Sequence, residues 1–165
     1  MRRRLMSIAL LPCAALLLAA CGTGSSTSSP DASPSGQGLP VVAAFYPLQF
    51  AAEQVGGDRV SVTSLTAAGA EPHDIELTPQ QVAAVADAGL VVYLPGFQSS
   101  VDEAVAQSGG ANALDAGAGI PTLAPPQSEV DEARAEGAQP PAYDPHVWLD
   151  PTNMTRIVDT VAARL

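Results

Sequence analysis

Two histidines occur in the 165-residue chain, and each stands in an irregular segment directly after a proline: Glu71-Pro72-His73-Asp74 and Asp144-Pro145-His146-Val147-Trp148. Proline stiffens the backbone on the approach to each imidazole, so less entropy is lost when an ion fixes the ring. The flanking carboxylates are placed to orient the second ring nitrogen or to favour a nearby dication. The chemistry open to such a pair is coordination of a metal by nitrogen. Two readings of the residue types stand side by side: ligands of one shared ion, or ordinary surface histidines in loops.

The rest of the composition narrows what a site here can be made of. Arg2, Arg3 and Arg4 precede an apolar run from residue 5 to residue 20 that is broken by Pro12. It is shorter than the roughly 20 apolar residues of a membrane-spanning helix, and it reads as an export signal. It ends in Leu18-Ala19-Ala20-Cys21-Gly22, a small-residue cleavage site abutting a cysteine, the pattern of a bacterial lipobox. Cys21 is therefore the expected lipidation site, and the mature N-terminus is expected to be tied to a membrane surface. Cys13 falls within the signal, so no disulfide framework and no cysteine-ligated metal site is available after cleavage. Any metal site has to use nitrogen and oxygen donors. Beyond the signal, Arg59, Arg134, Arg156 and Arg164 face 17 acidic residues, and the chain contains no lysine. Such a surface repels phosphate backbones, which argues against a nucleic-acid partner, and it suits a cation or simple solubility.

The elements that must position the histidines follow from hydrophobic pattern. Residues 21–38 are rich in Ser, Gly, Thr and Pro and too poor in apolar side chains to offset the entropy of ordering, so they read as a tether. Folding is expected to begin at Leu39 with a buried strand over 39–45, followed by a helix from Pro47 through Val55 that Gly56-Gly57 ends. Val60, Val62 and Leu65 mark a second strand, and the loop after it, residues 67–76, carries His73. Thr78 is placed as an N-cap with Pro79 at the first helical position, Gly89 closes that helix, and residues 90–94 form a third strand. A further helix spans residues 101–107, and a weaker strand lies near 112–114. Strands alternating with helices in this way imply a parallel sheet covered by helices, in which ligands bind at the carboxyl ends of the strands, where the His73 loop lies. Residues 121–143 read as a solvated loop with Glu129, Asp131, Glu132 and Glu136 close together. Asp150 and Pro151 then start an amphipathic helix with Met154, Ile157, Val158 and Val161 at helical spacing. The sequence stops inside that helix and reads as incomplete.

Three segments carry a resemblance to the substrate-binding lipoproteins of zinc and manganese ABC transporters. They are Val41-Val42-Ala43-Ala44-Phe45-Tyr46-Pro47, Glu71-Pro72-His73-Asp74-Ile75-Glu76-Leu77-Thr78-Pro79 and Asp144-Pro145-His146-Val147-Trp148-Leu149-Asp150-Pro151, the last two being specific. The resemblance covers most of the sequence after the signal. It implies two α/β lobes joined by a long backbone helix, with the metal held between them. His73 and His146 are, by that resemblance, first-lobe metal ligands, and Glu71 is a candidate auxiliary ligand. Residues 39–150 are then the N-terminal α/β metal-binding lobe and residues 151–165 the start of the interlobe helix. A second lobe, which in the family supplies a further histidine or glutamate and a carboxylate, is not in this sequence.

The function that follows is an extracytoplasmic binding protein, expected as a monomer, that captures a divalent metal and delivers it to an ABC-type permease. Zn2+ is favoured over Mn2+ because imidazole suits zinc and the Irving–Williams order places manganese lowest. The same residues also suit a manganese-type relative or a metal-stabilised surface adhesin. An enzyme is not expected: there is no His-Glu-x-x-His, no Gly-x-Ser-x-Gly elbow, no glycine-rich phosphate loop and no catalytic cysteine. Asp74 and Asp144 read as turn or capping residues, and Trp148 as core.

Overall fold

The computed structural model describes residues 38–165 apart from 136 and 138. The signal, Cys21 and the tether lie outside the described residues. Four short strands, β1 Leu39–Ala43, β2 Val60–Ser64, β3 Leu90–Tyr93 and β4 Ala113–Asp115, form one sheet in the order β2-β1-β3-β4. Every pairing is parallel, with Val41 opposite Val62 on one side and Leu90 on the other. The helices between them are the crossovers that parallel pairing requires: α1 Tyr46–Gly56, α2 Pro79–Asp87 and α3 Ser99–Gln107.

This order determines where a ligand can sit. The chain leaves β1 toward β2 on one side and returns past it to β3 on the other. The loops after β1 and β3 therefore diverge, opening a crevice at the carboxyl edge of the sheet. Right-handed crossovers running in opposite directions put α1 on one face and α2 on the other. Consistently, α1 packs with the last helix, α5 Pro151–Ala162, while α2 packs with α3.

The central strands are apolar because helices cover both faces. Val41, Val42, Ala43, Leu90, Val91 and Val92 are all buried. β2 is not apolar throughout, unlike the central strands. It is an edge strand whose Ser61 and Thr63 are exposed while Val60, Val62 and Ser64 are partly covered, the alternation of a half-buried strand. Gly89 lies just beyond the α2 C-cap Ala88 and serves close packing: a Cβ there would lie 2.4 Å from Leu39 Cδ1, while its N–H donates to Pro40 O at 2.8 Å. A side chain at 89 would displace the exposed Leu39 side chain and crowd Pro40 O, 3.3 Å from the added Cβ.

Local signals at the helix starts are realised. Thr78 caps α2 in a reciprocal box: its hydroxyl accepts from the Gln81 N–H, and Gln81 Oε1 accepts from the Thr78 N–H at 2.9 Å. The Asp150 carboxylate accepts from the Thr152 N–H at 2.8 Å and starts α5, whose Ile157 and Val161 are fully buried. Residues 121–143 differ from the expected irregular loop, because Gln127–Ala135 forms a further helix, α4. It buries no residue, so it has no apolar face for a periodicity argument to detect. Good helix formers and local contacts support it instead, among them Gln127 Nε2 to Asp131 Oδ1 at 2.9 Å and Arg134 to Asp131 at 3.5 Å.

Candidate metal centre

His73 comes from the loop after β2, and His146 from the segment leading into a 3-10 turn, Val147–Leu149, just before α5. The two rings meet above the crevice with Nε2 of His73 3.3 Å from Nε2 of His146. Two nitrogen ligands about 2.0–2.1 Å from one tetrahedral ion lie roughly 3.3–3.4 Å apart, so the pair already has the spacing of one tetrahedral edge.

An aromatic cluster holds the rings from below. Phe45, directly after β1, and Phe97, in the turn after β3, meet with centroids 4.8 Å apart at the point where the strand order reverses. Trp148 closes the cluster, 4.6 Å from Phe45 and 5.1 Å from Phe97. His73 sets its ring edge-on to Phe97 at 4.4 Å, and His146 lies 5.2 Å from Trp148. Trp148 therefore packs against the core, as expected, and also supports a candidate ligand.

Carboxylates fix the remaining freedom of His146. Asp144 Oδ1 accepts from His146 Nδ1 at 2.8 Å and from the His146 backbone N–H at 3.0 Å. The backbone N–H of His146 is the chief cause holding the Asp144 carboxyl below its ordinary pKa. The imidazole reinforces the effect and partial burial opposes it. An ionised acceptor on Nδ1 places the proton there and leaves the Nε2 lone pair facing His73, the carboxylate–histidine arrangement of metal sites. Asp144 is thus more than a turn residue. Tyr143 anchors the same segment by donating its hydroxyl hydrogen to Pro95 O at 2.5 Å.

The His73 loop is tied by different contacts. Glu71 Oε1 accepts from the His73 backbone N–H at 3.3 Å, so one carboxylate oxygen of this candidate auxiliary ligand is engaged with the loop itself. Asp74 is exposed on the rim. An open cleft of about 720 Å³ spreads over the pair, bordered by Glu71, His73, Phe97, Glu129, Glu132 and His146. Glu129 and Glu132 come from α4, and Glu129 Oε1 lies 3.9 Å from His146 Nδ1. Sequence reasoning placed these two in a solvated loop without assigning them to the site. Their only signal was the acidic cluster, which is more often solubilising. Among the described residues, no group of three or more His, Cys, Asp or Glu side chains gathers closely enough to hold an ion. The geometry is a pair of facing imidazole nitrogens with a carboxylate behind one of them.

Residues 41–165 match the model of the ZnuA family, described as zinc-uptake complex component A, periplasmic, and the chain belongs to that family. Its members are solute-binding proteins of transport systems rather than enzymes, working on the extracytoplasmic side of the membrane. The chain is 33% identical to the high-affinity zinc uptake system protein ZnuA of Bacillus subtilis over 91% of its own length and 48% of that protein. It is 31% identical to the manganese-binding lipoprotein MntA of Halalkalibacterium halodurans, over 89% of this chain and 44% of that one. Among solved structures it is similar to the metal-dependent lipoprotein YcdH of Bacillus subtilis, with a TM-score of 0.62 and 31% identity over 76% of this chain and 43% of that one. Zn(II)-bound AdcA of Streptococcus pneumoniae gives a TM-score of 0.61 and 28% identity over 75% and 25%. The chain spans about half the length of the curated relatives first matched.

Proposed function

We propose that this chain supplies the first-lobe half of an extracytoplasmic binding site that captures a divalent cation, zinc foremost, for delivery to an ABC-type importer. The observation that carries the reading is the 3.3 Å separation of the His73 and His146 Nε2 atoms, with Asp144 behind His146. Such a pair needs no large rearrangement to accept an ion, so less of the binding free energy is lost in ordering ligands. Zinc, which takes about four ligands, would need further donors beyond the two histidines, with Glu71 the auxiliary candidate within this lobe and the rest supplied from outside it. Lipid attachment at Cys21 would keep the lobe near the membrane and its permease.

Manganese is the second reading, favoured by the similarity to a relative named as manganese-binding. Two imidazole donors argue for zinc, since nitrogen donors bind it more tightly than manganese at the same geometry. Calorimetric titration with each cation, on wild type, His73→Ala and His146→Ala, tests the reading. Tighter binding of zinc than manganese, weakened in both variants, is the expected result. Unchanged affinity in both variants would sink the assignment, and tighter manganese binding would reverse the choice of metal.

A further inference from the structure

Gln98 is the one polar residue in the buried core among the described residues, 2% exposed, and it sits immediately before α3 beside Phe97. Burying an amide is unfavourable unless its hydrogens find acceptors, and here both do. Nε2 donates to Pro72 O at 2.7 Å and to Thr66 Oγ1 at 3.0 Å. Thr66 in turn donates its hydroxyl hydrogen to Ala44 O at 2.8 Å, so one chain of hydrogen bonds joins the ends of β1 and β2 to the start of α3. It terminates on the carbonyl of the residue before His73.

We infer that Gln98 is the positioning residue of His73. The peptide between Pro72 and His73 is held at both ends, its carbonyl by Gln98 Nε2 and its N–H by Glu71 Oε1. A planar peptide restrained at C=O and N–H has its orientation fixed, and with it the N–Cα bond from which the His73 side chain departs. The contact from Glu71 is exposed and long, whereas that from Gln98 is short and part-buried, so Gln98 contributes the larger restraint. Ser100 holds the loop further along, at Ile75 O, and Gln81 holds Leu65 O before it, whereas Gln98 and Glu71 act on the peptide next to the imidazole. Glutamate at this position would lack the two hydrogens that both acceptors require.

The inference deepens the metal reading and rests on it for affinity, but the placement of His73 is measurable without metal. In the isotope-labelled full chain, metal-free, ring-to-ring nuclear Overhauser contacts are expected for His73 with Phe97 and for His146 with Trp148. Gln98→Met fills the buried volume without donating. It is expected to lose the His73–Phe97 contacts and keep those of His146 with Trp148. Retention of both sets, or loss of both, overturns the inference. Should Gln98→Met fail to fold, Gln98→Asn keeps the amide but withdraws it by one methylene, and is read in the same way.

Titration with zinc alone is the second arm. Gln98→Met is expected to weaken binding about 10-fold, the lower end of what lost outer-shell support costs. The effect should vanish in a His73→Ala background, because a residue acting through His73 has nothing left to position. An equal loss in that background overturns the inference in favour of general destabilisation. If His73→Ala itself leaves zinc binding unchanged, the metal reading fails, and the ring contacts alone decide the role of Gln98.

Discussion

His73 and His146 are separated by 73 positions in the chain, yet their Nε2 atoms stand 3.3 Å apart on a floor made by Phe97. Loss of either ring leaves one imidazole where a chelating pair was. His73→Ala and His146→Ala are each expected to weaken zinc binding by more than about 100-fold in isothermal titration, above the cost of losing an outer-shell partner. The double variant should be little worse than either single one, since ligands of one ion act as a unit.

Asp144 tests whether orientation of His146 matters in its own right. Asp144→Ala removes the acceptor on Nδ1 and is expected to cost about 10- to 100-fold in affinity. Asp144→Asn keeps an oxygen in place and should cost less. Equal and negligible effects in competition titrations would show that the aromatic cluster alone orients the ring.

A pH dependence unrelated to the ligands is expected from Asp102. Its Oδ2 accepts from the Gly96 N–H at 2.8 Å, while its buried Oδ1 has no hydrogen-bond partner among the described residues. Burial raises its pKa, against the lowering effect of the Gly96 hydrogen bond. Between the unfolded carboxyl value of about 3.9 and the raised folded value, the folded state therefore binds more protons than the unfolded state. The contribution of Asp102 to stability falls as pH rises through that window and recovers on acidification. Thermal melts across mildly acidic pH should show this component in the wild type and its absence in Asp102→Asn.

Phe97 links stability to binding. It is 5% exposed and touches Phe45, Trp148 and both histidines. Phe97→Ala is expected to cost about 3–5 kcal/mol in urea unfolding, the range for buried aromatic truncation, and to weaken zinc binding in the fraction that stays folded. Phe97→Leu should recover much of the stability and less of the affinity, because a flexible aliphatic group does not hold the ring of His73 edge-on.

The two helix starts at Thr78 and Asp150 were legible because capping is local: the donor groups lie within three residues of the acceptor side chain. The central strands were legible because full burial demands continuous apolar runs, as in Leu90-Val91-Val92. α4 was not, since a helix that buries nothing leaves no periodic trace in its apolar residues. Gln98 and Asp144 were underread for a related reason. An amide or carboxylate in a loop has many bland roles, and only its partners in space select one.

By itself, the sequence determined the parallel α/β character of the lobe, the identity of the two candidate nitrogen ligands and the family to which they point. All of these depend on residue types and short-range pattern. The tertiary structure alone decided that the imidazoles converge at tetrahedral spacing, that Phe97 and Trp148 underlie them, and that Asp144 bonds one ring while Gln98 bonds the carbonyl before the other. Those relationships join residues from loops far apart in the chain. They exist only once parallel pairing brings the carboxyl ends of the strands to one edge, with the order β2-β1-β3-β4 opening the crevice between β1 and β3.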